Sequence, residues 1–187
     1  MPSYRQDREW SDRFIPEMQR IIGPFLLKPS PFAIDAHQAT DLVVMKAEGL
    51  SVACRVRRPG YYNQYRHEFT VRSCRDSGTE TELSKLYNGF ADWMFYAHAS
   101  DDCDHAEEPG FKAWMLINLD SFRSQMITYS SRIQSFKKSN QDGTHFVSFD
   151  IRSFRPHPPL LIGQHGILDE PCPTASRNPA GSVSAVA

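Results

Sequence analysis

One run of seven residues constrains this chain more than any other. Asp92-Trp93-Met94-Phe95-Tyr96-Ala97-His98 is almost entirely apolar. As a strand it has no wet side, and strands covered on both faces belong to layered α/β domains with parallel pairing. No run in the sequence approaches the ~18 apolar residues of a membrane span. The run therefore has to be buried by other layers of this same chain.

The remaining segments supply those layers. Leu50 to Arg57 alternates with period two, so Leu50, Val52, Cys54 and Val56 share one face while Ser51, Ala53, Arg55 and Arg57 share the other. Asp41–Ala47, His67–Ser73, Phe111–Ile117 and His145–Ile151 read as further strands. Trp10, Phe14, Met18, Ile21, Ile22 and Phe25 recur at three- and four-residue spacing, which predicts an opening helix. Pro16 must kink it or mark an irregular turn, because proline removes a ladder bond. Thr79 followed by Glu82 reads as a capping box starting a helix to about Tyr87, and Asp120 begins another that reaches Met126 or beyond. The expected fold is α/β, a mixed sheet in a three-layer α/β/α arrangement. Strands 41–47, 50–57 and 67–73 are expected to form an antiparallel meander, with 92–98 joining in parallel and the 79–88 helix packed on one face.

With 187 residues the chain has room for one domain of ordinary size. The expected division is a single α/β domain over 1–155 and a Pro-rich extension over 156–187. Six of the 13 prolines lie from Pro156 onward, and residues 170–187 have almost nothing to bury, which reads as disorder. Leu160-Leu161-Ile162 is expected to dock back on the core or on a partner. The four cysteines, at 54, 74, 103 and 172, form no CxxC pair, and the N-terminus leads into charge rather than an apolar leader. Both features suit a reducing cytoplasm, with no membrane association.

The element order αβββαβ resembles the core of the PD-(D/E)XK superfamily, the restriction-endonuclease-like and Holliday-resolvase-like fold. The resemblance covers roughly residues 7–118. It places Asp41 at the family's metal-binding aspartate, and Arg55-Val56-Arg57 where the family carries an acid, one residue and a Lys. If activity is retained, the resemblance implies Mg²⁺ at Asp41. Glu82 and Lys85, on one face of the neighbouring helix, would then supply the displaced catalytic groups, with Glu9 or Glu17 entering from the first helix. Arg55 beside a lone acid would instead repel the metal, since hard cations need several oxygen ligands. Two readings follow: a weak or inactive relative of these nucleases that binds DNA or a nucleic-acid-processing or defence protein, and an active metal-dependent endonuclease or resolvase with a relocated site. A small chain of this type suits a phage or mobile element, where it would act as a regulator or inhibitor.

The binding surface is read from the residues themselves. Between positions 55 and 75 stand six arginines, Arg55, Arg57, Arg58, Arg66, Arg72 and Arg75, against one acid, Glu68. Tyr61, Tyr62 and Tyr65 are interleaved with them. Arginine forks bind phosphate bidentately and tyrosines stack on exposed bases. The alternative is a solvated sheet face paired to nearby acids, but like charges in register on neighbouring strands are destabilising unless anions answer them. The expected partner is nucleic acid or an acidic protein surface. The acidic loop 100–110 reads as a solvated hairpin loop, because His98, Cys103 and His105 are too few for a closed zinc site. Trp93, Phe95, Trp114 and Phe122 read as core, and Cys54 as inert. No P-loop, GxSxG or Rossmann glycine pattern occurs, which disfavours ATPase, kinase, serine-hydrolase and dinucleotide chemistry.

Overall fold

The computed structural model of the chain describes residues 4–29, 42–44, 49–75, 81–140 and 143–168. The first helical stretch is broken in two: α1 spans Tyr4–Asp12 and α2 spans Ile15–Ile22, followed by a 3-10 turn over Gly23–Leu26. Pro16 falls in the first turn of α2, where its missing N–H is no loss. Phe14, fully buried at the break, stacks on Phe111 with ring centroids 5.2 Å apart.

The strands follow in chain order: β1 (Leu27–Pro29), β2 (Leu42–Val44), β3 (Val52–Arg57), β4 (Glu68–Arg75), β5 (Trp93–Ala99), β6 (Phe111–Asn118), β7 (Ser135–Ser139), β8 (Thr144–Asp150) and β9 (Leu161–His165). Between them lie α3 (Tyr62–Tyr65), α4 (Glu82–Tyr87) and α5 (Leu119–Tyr129). A four-stranded mixed sheet has the order β3-β5-β6-β9, with β3 parallel to β5 and the other pairs antiparallel. A second, antiparallel sheet has the order β4-β8-β7, and β1 pairs with β2. The fold is α/β, and the run at 92–98 is the buried parallel strand its composition demands.

The expected meander does not form. Among the described residues β3 pairs only with β5, β4 pairs with β8 in the other sheet, and β2 pairs with β1. The cause is the apolar content of β5 and β4. Tyr96, Phe95 and Met94 are fully buried and need strands on both flanks, while Phe69 and Val71 of β4 need the apolar face of β8. One face of the mixed sheet is covered by α1 and α2, through Phe14, Met18, Phe95, Ala97 and Leu116. The other is covered by the antiparallel sheet together with α4 and α5, through Phe69, Phe122, Phe149, Met94, Tyr96 and Ile117. The third layer is thus partly a sheet. Each fully buried side chain of this size contributes roughly 1.5–3 kcal/mol.

Two connections differ from the sequence reading. Helix α4 begins at Glu82 with Thr81 at its N-cap, and the Thr81 hydroxyl donates to the Ser73 carbonyl at 2.8 Å instead of capping the helix. Glu82 is therefore a first-turn residue, not the third residue of a capping box, and Thr79 lies outside the described residues. The Pro-rich extension folds against the rest as far as Leu168. Buried Gln125 of α5 donates to the Pro158 carbonyl at 2.8 Å and accepts from the Arg155 N–H at 2.8 Å, Leu160 is buried, and β9 closes the sheet edge. An added Cβ at Gly163 would collide with the Phe25 ring, so glycine lets that ring lie where it does against β9. Residues 170–187 lie outside the described residues. No helix among the described residues is long and apolar enough to cross a membrane.

Candidate functional site

The alternation in β3 works as the sequence requires. Val52 and Val56 pack toward α1 and α2, with Cys54 beside them in an apolar groove of about 600 Å³. Burial pushes the Cys54 thiol up, away from the reactive thiolate. Arg55 and Arg57 point the other way, toward the antiparallel sheet. There the register sets Arg72, Phe146 and Lys138 side by side on β4, β8 and β7. Between the two sets lies a cleft of about 250 Å³ lined by Arg55, Arg57, Tyr61, Tyr65, Thr70, Lys138, Asn140 and Phe146.

The cations of this cleft are held by rings and hydroxyls. Arg57 Nε donates to the Tyr96 hydroxyl and its Nη2 to the Thr70 hydroxyl, both at 2.6 Å. Its guanidinium also lies 5.1 Å from the Tyr61 ring centre and 5.7 Å from that of Tyr65. The Lys138 ammonium sits 4.2 Å from the Tyr65 ring centre. Phe146 has the Arg55 guanidinium at 5.5 Å and that of Arg72 at 5.8 Å. Each such contact is worth about 0.5–2 kcal/mol, but it leaves the full charge in place. The Arg72 Nε is buried with no hydrogen-bond partner.

Among the described residues one carboxylate enters this neighbourhood. Glu82 Oε2 accepts from Arg55 Nη1 at 2.5 Å and from the Arg72 backbone N–H at 2.9 Å. Arg57, Arg72 and Lys138 have no carboxylate partner among the described residues, whereas Arg5, Arg8, Arg20, Arg55, Arg58, Lys112, Arg123 and Arg152 each have one.

Behind the cleft, His98 is adjacent to Arg57 in the β3–β5 register, is 1% exposed, and has no hydrogen-bond partner on either ring nitrogen. Tyr62 and Tyr96 meet it edge-on, at 5.7 and 5.9 Å. Desolvation first, and then the Arg57 charge, lower its pKa to about 4, so it is neutral around pH 7.

The sequence-derived site residues separate into two groups. Arg55, Arg57, Arg72 and Tyr61 converge. Arg58 turns to the other side of β3, where it meets Asp7 at 2.9 Å and lies 4.4 Å from the Trp10 ring centre. Arg66 donates to its neighbour His67 at 3.0 Å. Tyr62 donates its hydroxyl to the Gly166 carbonyl at 2.7 Å and serves packing. The Arg75 side chain and Asp41 lie outside the described residues. Lys85 is exposed, and its helix partner Glu82 is already engaged with Arg55. No group of three or more His, Cys, Asp or Glu placed to hold a metal ion occurs among the described residues.

The acidic loop is more than a solvated turn. Cys103 is fully buried, Asp104 accepts from the Trp10 indole at 2.9 Å, and Arg13 donates to the Cys103 and Ala106 carbonyls. Trp93 and Trp114 pack in the helix-side core, as expected. Lys138, Asn140, Thr70 and Phe146 were not among the expected site residues. Lys138 gives only a weak signal in the sequence: the pair Lys137-Lys138 beside an aromatic residue, Phe136. No family model matches the chain, and comparisons with curated proteins and with solved structures returned no match.

Proposed function

We propose that this chain is an intracellular nucleic-acid-binding protein that holds phosphates with Arg57, Arg72, Lys138 and Arg55 and does not cut the strand it holds. The observation that carries the reading is the contrast in pairing. Arg57 and Lys138, which line the cleft, and Arg72, against its Phe146 wall, have no carboxylate partner among the described residues, although eight other basic side chains have one. Like charges gathered at one site are destabilising, and an anionic ligand relieves that cost. Aromatic walls suit a ligand that is both anionic and flat, which favours nucleic acid over an acidic protein surface.

Weak or absent cleavage follows from Glu82, the one acid at the site among the described residues. Glu82 already accepts from a guanidinium and a backbone amide, and a divalent ion there would face Arg55 at contact distance, where it lacks the several oxygen ligands it needs. In this reading the chain is a relative of PD-(D/E)XK nucleases in which Arg55 and Arg57 occupy the acid-x-Lys positions.

Fluorescence anisotropy with labelled DNA and RNA oligonucleotides over a salt series tests it. With three or four phosphate contacts, a log–log slope of about −2 to −3 is expected for single strands. In a parallel incubation with Mg²⁺ the oligonucleotides should remain intact. Binding that is absent, or indifferent to salt, overturns the reading; robust metal-dependent cleavage overturns its non-catalytic part.

A further inference from the structure

The cleft differs from a flat basic surface in a way that bears on which nucleic acid it takes. Resting on the reading above, we infer that its ligand is an unpaired strand, DNA or RNA, with one nucleotide in the cleft and its base stacked on Tyr61. Three observations point there. First, the space is about 250 Å³, which is below the range of drug-sized ligand pockets and suits a single nucleotide unit. A duplex presents its phosphates on a wide convex rod with its bases hidden, so it cannot offer a ring to the walls of such a cleft.

Second, the walls are aromatic on more than one side. Tyr61 and Tyr65 lie with ring centres 6.2 Å apart, and Phe146 lines the same space. Tyr65 is engaged by both Arg57 and Lys138, but among the described residues Tyr61 meets one cation, Arg57, and remains 45% exposed. Tyr61 can therefore take a base from the solvent side without any of these contacts being broken. Every base has a π-face, so this recognition is tolerant of sequence.

Third, the polar groups are spaced around the rings. Arg57 and Lys138 border the tyrosines, Arg55 and Arg72 flank Phe146, and Asn140 lines the cleft beside Lys138. Phosphates on either side of a stacked base thus meet cations without crossing the aromatic surface. Arg57 holds the arrangement from behind, through Tyr96 and Thr70.

The test separates stacking from charge. The full chain is titrated by anisotropy against labelled oligonucleotides of about a dozen residues: a mixed-sequence single strand as DNA and as RNA, the matching duplex, and an abasic strand with the same phosphates. The single strands should bind about tenfold tighter than the abasic strand, and tighter than the duplex. Tyr61→Ala should remove most of that advantage, and Tyr61→Phe should keep it. Exposure of Tyr61 makes both variants safe for folding, which circular dichroism checks. Equal binding of the abasic strand and the base-bearing strand, or an unchanged preference in Tyr61→Ala, overturns the inference while leaving phosphate binding standing. Binding to none of the four probes overturns both.

Discussion

Two basic regions flank strand β3, and they have solved the same electrostatic problem in opposite ways. On the α1 side Arg5, Arg8, Arg20 and Arg58 each reach a carboxylate within 3.0 Å, three of them one helical turn away and Arg58 across to Asp7. On the other side Arg57, Arg72 and Lys138 meet rings and hydroxyls instead. The difference comes from backbone geometry. A helix brings residues three and four apart together, so a carboxylate is easily provided next to each arginine. A sheet row takes its neighbours from distant parts of the chain, and here those neighbours are Phe146, Thr70 and Tyr96. Exposed ion pairs contribute little to stability. The helical side is therefore a solvated surface, while on the sheet side the charges of Arg57, Arg72 and Lys138 have no carboxylate partner among the described residues.

The comparison can be broken most directly by removing the uncompensated charge. The triple variant Arg57→Ala, Arg72→Ala, Lys138→Ala should weaken oligonucleotide binding by about a hundredfold or more and flatten its salt slope by about two. Lys138 is on an exposed strand, so Lys138→Glu alone gives a second reading that is safe for folding. Unchanged affinity in both would make the two regions equivalent.

The next effect concerns acid stability. His98 is held neutral by burial and by Arg57. Its folded pKa lies below the ordinary value, so protons bind more readily to the unfolded chain as pH falls. The stability it supports is present above about pH 6.5 and declines as pH drops toward 4, by about 3 kcal/mol at most. Urea titrations at several pH values should show this decline, and Arg57→Met should raise the His98 titration seen by NMR. A His98 signal that titrates normally in the unaltered protein would remove the effect.

A smaller change should sharpen the contrast. Glu82→Gln keeps an acceptor for the Arg72 N–H but leaves the Arg55 charge unanswered. Oligonucleotide binding should tighten a few-fold, and stability should fall by about 1 kcal/mol. If Glu82 is instead part of a relocated metal site, the same substitution weakens binding measured with Mg²⁺. The smallest effect is expected from Arg58→Ala, which should change affinity by less than about twofold, as an exposed pair does.

Much of this was legible in the sequence, for reasons tied to particular residues. The run at 92–98 has no polar side, so its burial as a parallel strand could be read directly. The period-two pattern of 50–57 correctly sent Val52 and Val56 one way and Arg55 and Arg57 the other. Pro16 marked the helix break. Strand β7 was missed because Ser135-Phe136-Lys137-Lys138-Ser139 is exposed along its whole length, so neither face leaves a hydrophobic period. Strand β9 was hidden by the prolines before it. The capping box expected from Thr79 and Glu82 does not form, because the helix starts at Glu82 itself and the Thr81 hydroxyl at its N-cap is drawn to Ser73.

Composition and period, then, determined by themselves that this chain makes an α/β domain and gathers arginines and tyrosines into one stretch. Which of those arginines act together was decided by strand pairing. Pairing depends on apolar faces finding each other over long separations, and no local pattern encodes a partner more than seventy residues away. The match of Phe69 and Val71 with Phe149 and Val147 carried β4 away from β3 and across to β8. The same register brought Phe146 and Lys138 beside Arg72, whereas alternation along the chain after β3 sets Arg58, the neighbour of Arg57 in sequence, on the opposite side.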